Sequence, residues 1–159
     1  MKGKYILVLV GCLFATSIWA VNEVDKKGRK QGEWIKKYDN GVVMYKGVLK
    51  DDMPTGEFKR FYENGTLHSV QNHKDNNLSD IVIYEQDGKT ISTKGSYIGK
   101  VKDGRWTYYI EGKISLEEQF ENGKLNGLSK VYTKKGELIE EIPYVQGKID
   151  GVKRCFLPD

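Results

Sequence analysis

A glycine–aromatic rhythm with a period near 24 residues constrains this chain more than any other feature. Aligning Gly32, Gly56, Ser79, Gly104, Gly127 and Gly151 at position zero gives spacings of 24, 23, 25, 23 and 24 residues. Two residues on stand Trp34, Phe58, Ile81, Trp106, Ser129 and Lys153. Five or six residues on stand Tyr38, Phe61 with Tyr62, Tyr84, Tyr109, Tyr132 and Phe156. Nine on come Gly41, Gly65, Gly88 and Gly136, with Gly112 one residue early in the fourth unit. Seven before each new zero lies a second apolar position, Leu49, Tyr97, Phe120 and Tyr144, with Asn72 as the exception. A unit this short cannot bury its own apolar face and must stack on its neighbours.

Each unit reads as a β-hairpin. The turns Asp39-Asn40-Gly41, Glu63-Asn64-Gly65, Gln86-Asp87-Gly88 and Lys134-Lys135-Gly136 end in the residue best suited to positive φ. Second strands follow at Val42–Tyr45, Lys89–Ser92, Ile114–Glu117 and Glu137–Glu140. Aromatics at 11% with 18 Gly and three Pro fit many short strands joined by tight turns. Strand alternation places Trp34, Lys36 and Tyr38 on one face, and likewise Phe58, Arg60 and Tyr62. Trp106 and Tyr108 share a face, with Thr107 and Tyr109 opposite unless a bulge intervenes. No helical period runs three turns beyond residue 20. The expectation is all-β: a single-layer, elongated, twisted antiparallel sheet of about five to six tandem hairpins, eleven or twelve strands and roughly 50–55 Å long. The polar run Gln71–Asn77 in the third unit reads as a longer loop at one sheet edge.

The first 20 residues are different. Lys2 and Lys4 precede an uncharged, mostly apolar stretch from Tyr5 to Trp19, and Ala20 precedes the polar run Asn22–Lys27. That is the layout of a secretory signal peptide, with cleavage expected after Ala20. The apolar stretch is shorter than the roughly 20 residues of a spanning helix. A competing reading takes Leu9-Val10-Gly11-Cys12 as a lipobox, with Cys12 the acylated residue of a lipoprotein. The expected organisation is a signal peptide at 1–20, a flexible lead-in at 21–30, a repeat domain at 31–156 and a tail at 157–159. The destination is periplasmic or secreted. Cleavage would leave Cys155 as the one thiol, and so no intramolecular disulfide. It would also leave 24 basic against 22 acidic residues, net +2, with no basic face of the kind a nucleic-acid binder needs.

No pattern of catalytic chemistry stands out. His68 and His73 are the two histidines, and no cysteine lies near enough to complete a metal set. Ser69, His68 and Asp80 can be grouped, but without a nucleophile-elbow context. The acid pairs Asp51-Asp52, Glu117-Glu118 and Glu140-Glu141 read as solvated charge at strand ends and turns. The glycines follow hairpin spacing, not that of a phosphate loop. The chain is therefore expected to be non-enzymatic, with no cofactor and no metal.

The segments Gly32-Glu33-Trp34 to Gly41, Gly56-Glu57-Phe58 to Gly65 and Gly104-Arg105-Trp106 to Tyr109 resemble MORN repeats, in the variant form of bacterial antitoxin-like proteins. The joints Gly123–Gly127 and Gly147–Gly151 fit the same pattern, and the likeness spans about residues 31–156. Ser79, Ile81, Ser129 and Lys153 depart from it. The resemblance implies a sheet of successive hairpins that works by contact: with another protein, with lipid in some members, or with a cognate toxin. The leading expectation is a protein-binding module, in its sharper form an immunity protein for a toxin acting in the envelope. Its contact residues would be Trp34, Tyr38, Phe58, Arg60, Tyr62, Trp106 and Tyr108, since Tyr, Trp and Arg are enriched at hot spots. The alternative is an envelope scaffold that touches lipid headgroups or peptidoglycan.

Overall fold

A computed structural model describes residues 21–157. The expected signal peptide, its lipoprotein alternative at Cys12 and the last two residues lie outside these. The strands are β1 (Glu23–Val24), β2 (Lys30–Lys37), β3 (Val43–Lys50), β4 (Met53–Phe61), β5 (Leu67–His73), β6 (Leu78–Tyr84) and β7 (Ile91–Ile98). Then come β8 (Val101–Ile110), β9 (Lys113–Glu121), β10 (Lys124–Leu125), β11 (Gly127–Tyr132), β12 (Leu138–Val145), β13 (Lys148–Ile149) and β14 (Arg154–Cys155). All pair antiparallel in one open sheet, in chain order. Substantial packing runs between sheet neighbours, so among the described residues no second layer covers either face. Five long hairpins result, β2–β3, β4–β5, β6–β7, β8–β9 and β11–β12. The strands β10 and β11 pair along β9, and β13 and β14 along β12, as halves of interrupted strands. The all-β hairpin architecture expected from the rhythm is the one observed.

The rhythm is a record of bulges. In every long hairpin the second strand carries one extra residue near the turn: Met44, His68, Ser92, Ser115 and Ile139. Between hairpins the register slips by two, at Gly56 (φ 62°) facing β3 and at Gly104 (φ 70°) facing β7. The same slip breaks β10 from β11 and β13 from β14, around Gly127 and Gly151. Left-handed backbone is open to glycine without the Cβ penalty, which is why position zero is glycine. The third unit explains itself. The β5–β6 ladder runs from Ser69↔Ile83 to His73↔Ser79 with no slip, so no positive φ is needed and serine is accepted.

One expectation is corrected. Residues 71–73 are not loop but the end of β5, and the connection to β6 is a single 3₁₀ turn at Asp75–Asn77. The alternating Ser69, Gln71 and His73 face the aromatic side, and the polar residues keep the ladder while changing the face. The lead-in 21–30 is also tied to the sheet. Its strand β1 pairs Glu23 and Val24 with Gln31 and Lys30. The Asn22 amide donates to the Ile35 carbonyl at 3.0 Å and accepts from the Ile35 N–H at 2.8 Å. One side chain thus takes the place of a strand at the open edge of β2, where unpaired backbone groups invite aggregation.

Little is fully buried. Among the described residues the buried hydrophobics are Leu49, Phe58 and Trp106, and the buried polar residues are Ser69, Ser79, Thr107 and Ser129. Trp106 is 2% exposed. It meets Tyr97 edge-on at 5.0 Å and Phe120 at 6.3 Å, and Lys102 Nζ lies 4.2 Å from its ring centroid. Burial of a tryptophan side chain contributes on the order of 5 kcal/mol. Room for these rings comes from the facing strand. An added Cβ at Gly47 would lie 2.2 Å from Phe58 Cδ2, and one at Gly95 2.3 Å from Trp106 Cδ2.

Candidate binding face

Register assigns the faces. Cross-strand partners run Trp34↔Gly47↔Phe58↔Gln71↔Ile81↔Gly95 in one row, and Trp106↔Glu118 continues it. Residues two away along each strand share that face, so all seven contact candidates fall on it. The sheet itself already uses six of them. Phe58 and Trp106 are buried stacking residues. The Trp34 indole N–H donates to the carbonyls of Glu23 (3.2 Å) and Gln31 (3.1 Å), and Lys30 Nζ lies 4.7 Å from its ring. The Tyr38 hydroxyl donates to the Phe61 carbonyl at 2.8 Å, and the Tyr62 hydroxyl to the Tyr84 carbonyl at 2.7 Å. These two bonds tie the first hairpin to the second and the second to the third. Tyr108 accepts from Lys102 Nζ at 2.6 Å, and burial together with Glu118 holds its hydroxyl far above the usual phenol range. Arg60 is the exposed one.

Arg60 stands in a half-enclosed place. Its neighbours across the strands are Tyr45 and Ser69, neither acidic. The guanidinium lies 5.8 Å from the Phe58 ring. Arg29 pairs with Asp25 and Asp51, and Arg154 with Glu141, but Arg60 has no hydrogen bond or ion pair among the described residues. It borders an open hollow of about 290 Å³ with Lys30, Tyr45, Leu49, Asp52, Pro54, Phe58, Gln71 and His73. His73 meets Phe58 edge-on at 6.3 Å, and His68 meets Tyr62 edge-on at 4.7 Å. Burial first and Arg60 second hold both imidazoles below the ordinary histidine value.

The sequence left several of these parts unseen. His73 falls in the polar run whose composition reads as a loop, yet it pairs with Gly56 and Ser79 just as Phe120 pairs with Gly104. It therefore occupies the aromatic slot that Asn72, one residue earlier, leaves empty. Glycines in mid-strand at 47 and 95 were the readable clue to the ring seats. Tyr45 and Lys30 carried no such signal.

The groupings considered for catalysis do not assemble. Asp80 is hydrogen-bonded to Lys74 and to Ser96 (2.9 Å), on the face away from His68. Adjacent acids on a strand point to opposite faces. Glu117 accepts from Tyr132 while Glu118 lies by Tyr108, and Glu140 pairs with Lys153 while Glu141 pairs with Lys130. Asp51 and Asp52 are turn residues, bound to the Gln31 amide and the Lys30 N–H. On the far face, burial and then Glu117 push the Tyr132 hydroxyl up to about 12.

An open sheet of stacked hairpins, with stacking aromatics and a shallow hollow, defines a repeat protein of the contact-making kind, one that binds or scaffolds. Three segments, 30–51, 54–75 and 125–146, match the MORN repeat variant. They cover the first two hairpins and the fifth, and the stretch between carries the same bulge pattern. A comparison with curated proteins found no match.

Proposed function

We propose that this chain is a non-enzymatic, exported module that binds another protein through its aromatic face. In its sharper form it is an immunity protein that neutralises a cognate toxin in the envelope. The observation that carries the reading is Arg60: a guanidinium without a hydrogen bond or ion pair among the described residues, beside an aromatic-walled hollow. Arg and aromatic side chains are the usual anchors of protein interfaces. Export rests on the basic–apolar–small pattern of residues 1–20, and a toxin acting in the envelope requires its antagonist there. The test uses the product of the neighbouring gene. A tight one-to-one complex is expected, together with sensitivity to that product when this gene is deleted. Deletion cells that are no more sensitive, with no complex by gel filtration, would refute the immunity role.

A further inference from the structure

The hollow has a polarity as well as a shape. Its floor is apolar, with Phe58 and Leu49 buried, and Tyr45 and Pro54 form half-buried walls. Its rim carries Arg60, Lys30 and His73 against one acid, Asp52. That acid already accepts the Lys30 backbone N–H at 2.9 Å. The Tyr45 ring in the wall and the Phe58 ring in the floor lie 5.3 Å apart and tilted by 33°. Lys36 stands on the same face, directly across β3 from Arg60, with Tyr45 between them. The local balance is positive on a chain whose repeat region is otherwise mixed in sign.

We propose that this hollow seats an acidic side chain of a partner protein, its carboxylate on the Arg60 guanidinium and its hydrocarbon stem over Phe58 and Tyr45. The proposal rests on the protein-binding reading and deepens it by naming what the partner presents. A planar guanidinium with its donors free matches a carboxylate in two parallel hydrogen bonds, a geometry lysine cannot reproduce. The buried Phe58 ring and the half-buried Tyr45 ring lower the local dielectric, which strengthens the pair relative to one in open water. The His73 imidazole on the rim adds a further donor. The cations are three and local, whereas recruitment to an anionic membrane takes a cluster of about 4–8. The hollow therefore fits a protruding side chain better than a flat lipid surface.

The test uses a labelled peptide, Gly-Phe-Glu-Glu-Phe-Glu-Gly, its counterpart with Gln for Glu, and the full mature chain. Fluorescence anisotropy at low ionic strength is expected to show the Glu peptide binding. Binding should be at least about tenfold weaker for the Gln peptide and for the Arg60→Gln variant. Arg60→Lys should recover only part of the loss. Arg60 makes no hydrogen bond or ion pair among the described residues, and its guanidinium lies 5.8 Å from the Phe58 ring, so the Arg60→Gln chain should melt within a few degrees of wild type, which is the control for folding. In NMR titrations the peptide should raise the midpoints of both His68 and His73, because a carboxylate nearby favours the imidazolium. Arg60 and Tyr62 face the His68 ring, Arg60 and Phe58 face the His73 ring, and Lys30 and Asp52 are the other charged groups of its hollow. Equal binding of the Gln peptide, or an undiminished Arg60→Gln, would overturn the site. So would displacement of the peptide by inorganic phosphate at the peptide's own concentration, which would mark a small-oxyanion site. If the neighbouring gene product binds wild type and Arg60→Gln equally, the site fails and the protein-binding reading stands. If no such complex forms yet the peptide binds through Arg60, the immunity reading fails and the carboxylate site stands.

Discussion

Gly95→Ala should destabilise this sheet through a single ring. An added Cβ would lie 2.3 Å from Cδ2 and Cε2 of Trp106 and 2.7 Å from Cε3. Ordinary carbon–carbon contact is about 3.5–4.0 Å, so the indole must retreat by more than about 1 Å. It has little room to do so. It is 2% exposed, meets Tyr97, Phe120 and Lys102, and donates its N–H to the Ser96 carbonyl at 3.1 Å. Overpacking of this kind costs about 1–3 kcal/mol, and alanine's better strand propensity returns about 0.5–1 kcal/mol. A net loss of about 1–2 kcal/mol corresponds to a fall in melting temperature of roughly 3–8 °C for a chain of this size. The contact is isolated by a double-mutant cycle with Trp106→Leu, followed by urea unfolding in far-UV circular dichroism. Trp106→Leu alone should cost about 3 kcal/mol. In that background Gly95→Ala should become neutral or mildly stabilising, since the obstructing ring is gone. An equal penalty for Gly95→Ala with and without Trp106 would show that the ring is not what the glycine accommodates.

Reciprocal changes at position zero test the bulge rule. Gly56→Ser places a Cβ at φ 62° and should cost about 1–2 kcal/mol. Ser79→Gly loses the bond from Gln71 Nε2 (2.8 Å) and adds unfolded-state entropy, for about 1–2 kcal/mol; a stabilised melt for either would contradict the register. Tyr38→Phe and Tyr62→Phe each remove a hydroxyl bond to the next hairpin and should cost about 1 kcal/mol, with faster amide exchange around residues 61–66 and 84–90. Unchanged exchange there would mean that the hydroxyls do not couple the units. Stability should also depend on pH through His68 and His73. Their folded values lie below 6.5, so the unfolded chain takes up protons first as pH falls. Their contribution is complete above about 6.5 and is lost as pH falls towards the folded values. The double variant His68→Gln/His73→Gln should flatten thermal melts across that window, and a slope that persists would place its origin elsewhere.

The hairpin succession was legible because its signals are local. A positive φ demands glycine or an Asn/Asp neighbour within a residue or two, whatever the rest of the chain does. Glu111 (φ 52°) and Gly112 (φ 76°) form a two-residue turn, which accounts for the early glycine of the fourth unit. Ser79 was readable as a departure from the rhythm, and its meaning came from the unbroken β5–β6 register. The slot taken by His73 in place of Asn72 was not readable. A one-residue difference in spacing reverses the face of a side chain, and that depends on which strand carries the bulge.

The candidate site divides along the same line. Periodicity put Trp34 with Tyr38, Phe58 with Arg60 and Tyr62, and Trp106 with Tyr108, since alternation along a strand is a property of the backbone, and register joined these sets on one face. Which of them meet solvent was settled by cross-strand neighbours far away in the chain. Gly47 and Gly95 let rings sink until Phe58 and Trp106 were lost to the surface. Tyr45, Leu49 and His73, brought in by pairing, closed a hollow around Arg60. Local rhythm specifies the strand and its two sides; exposure depends on contacts between strands, and these exist only once the sheet has formed.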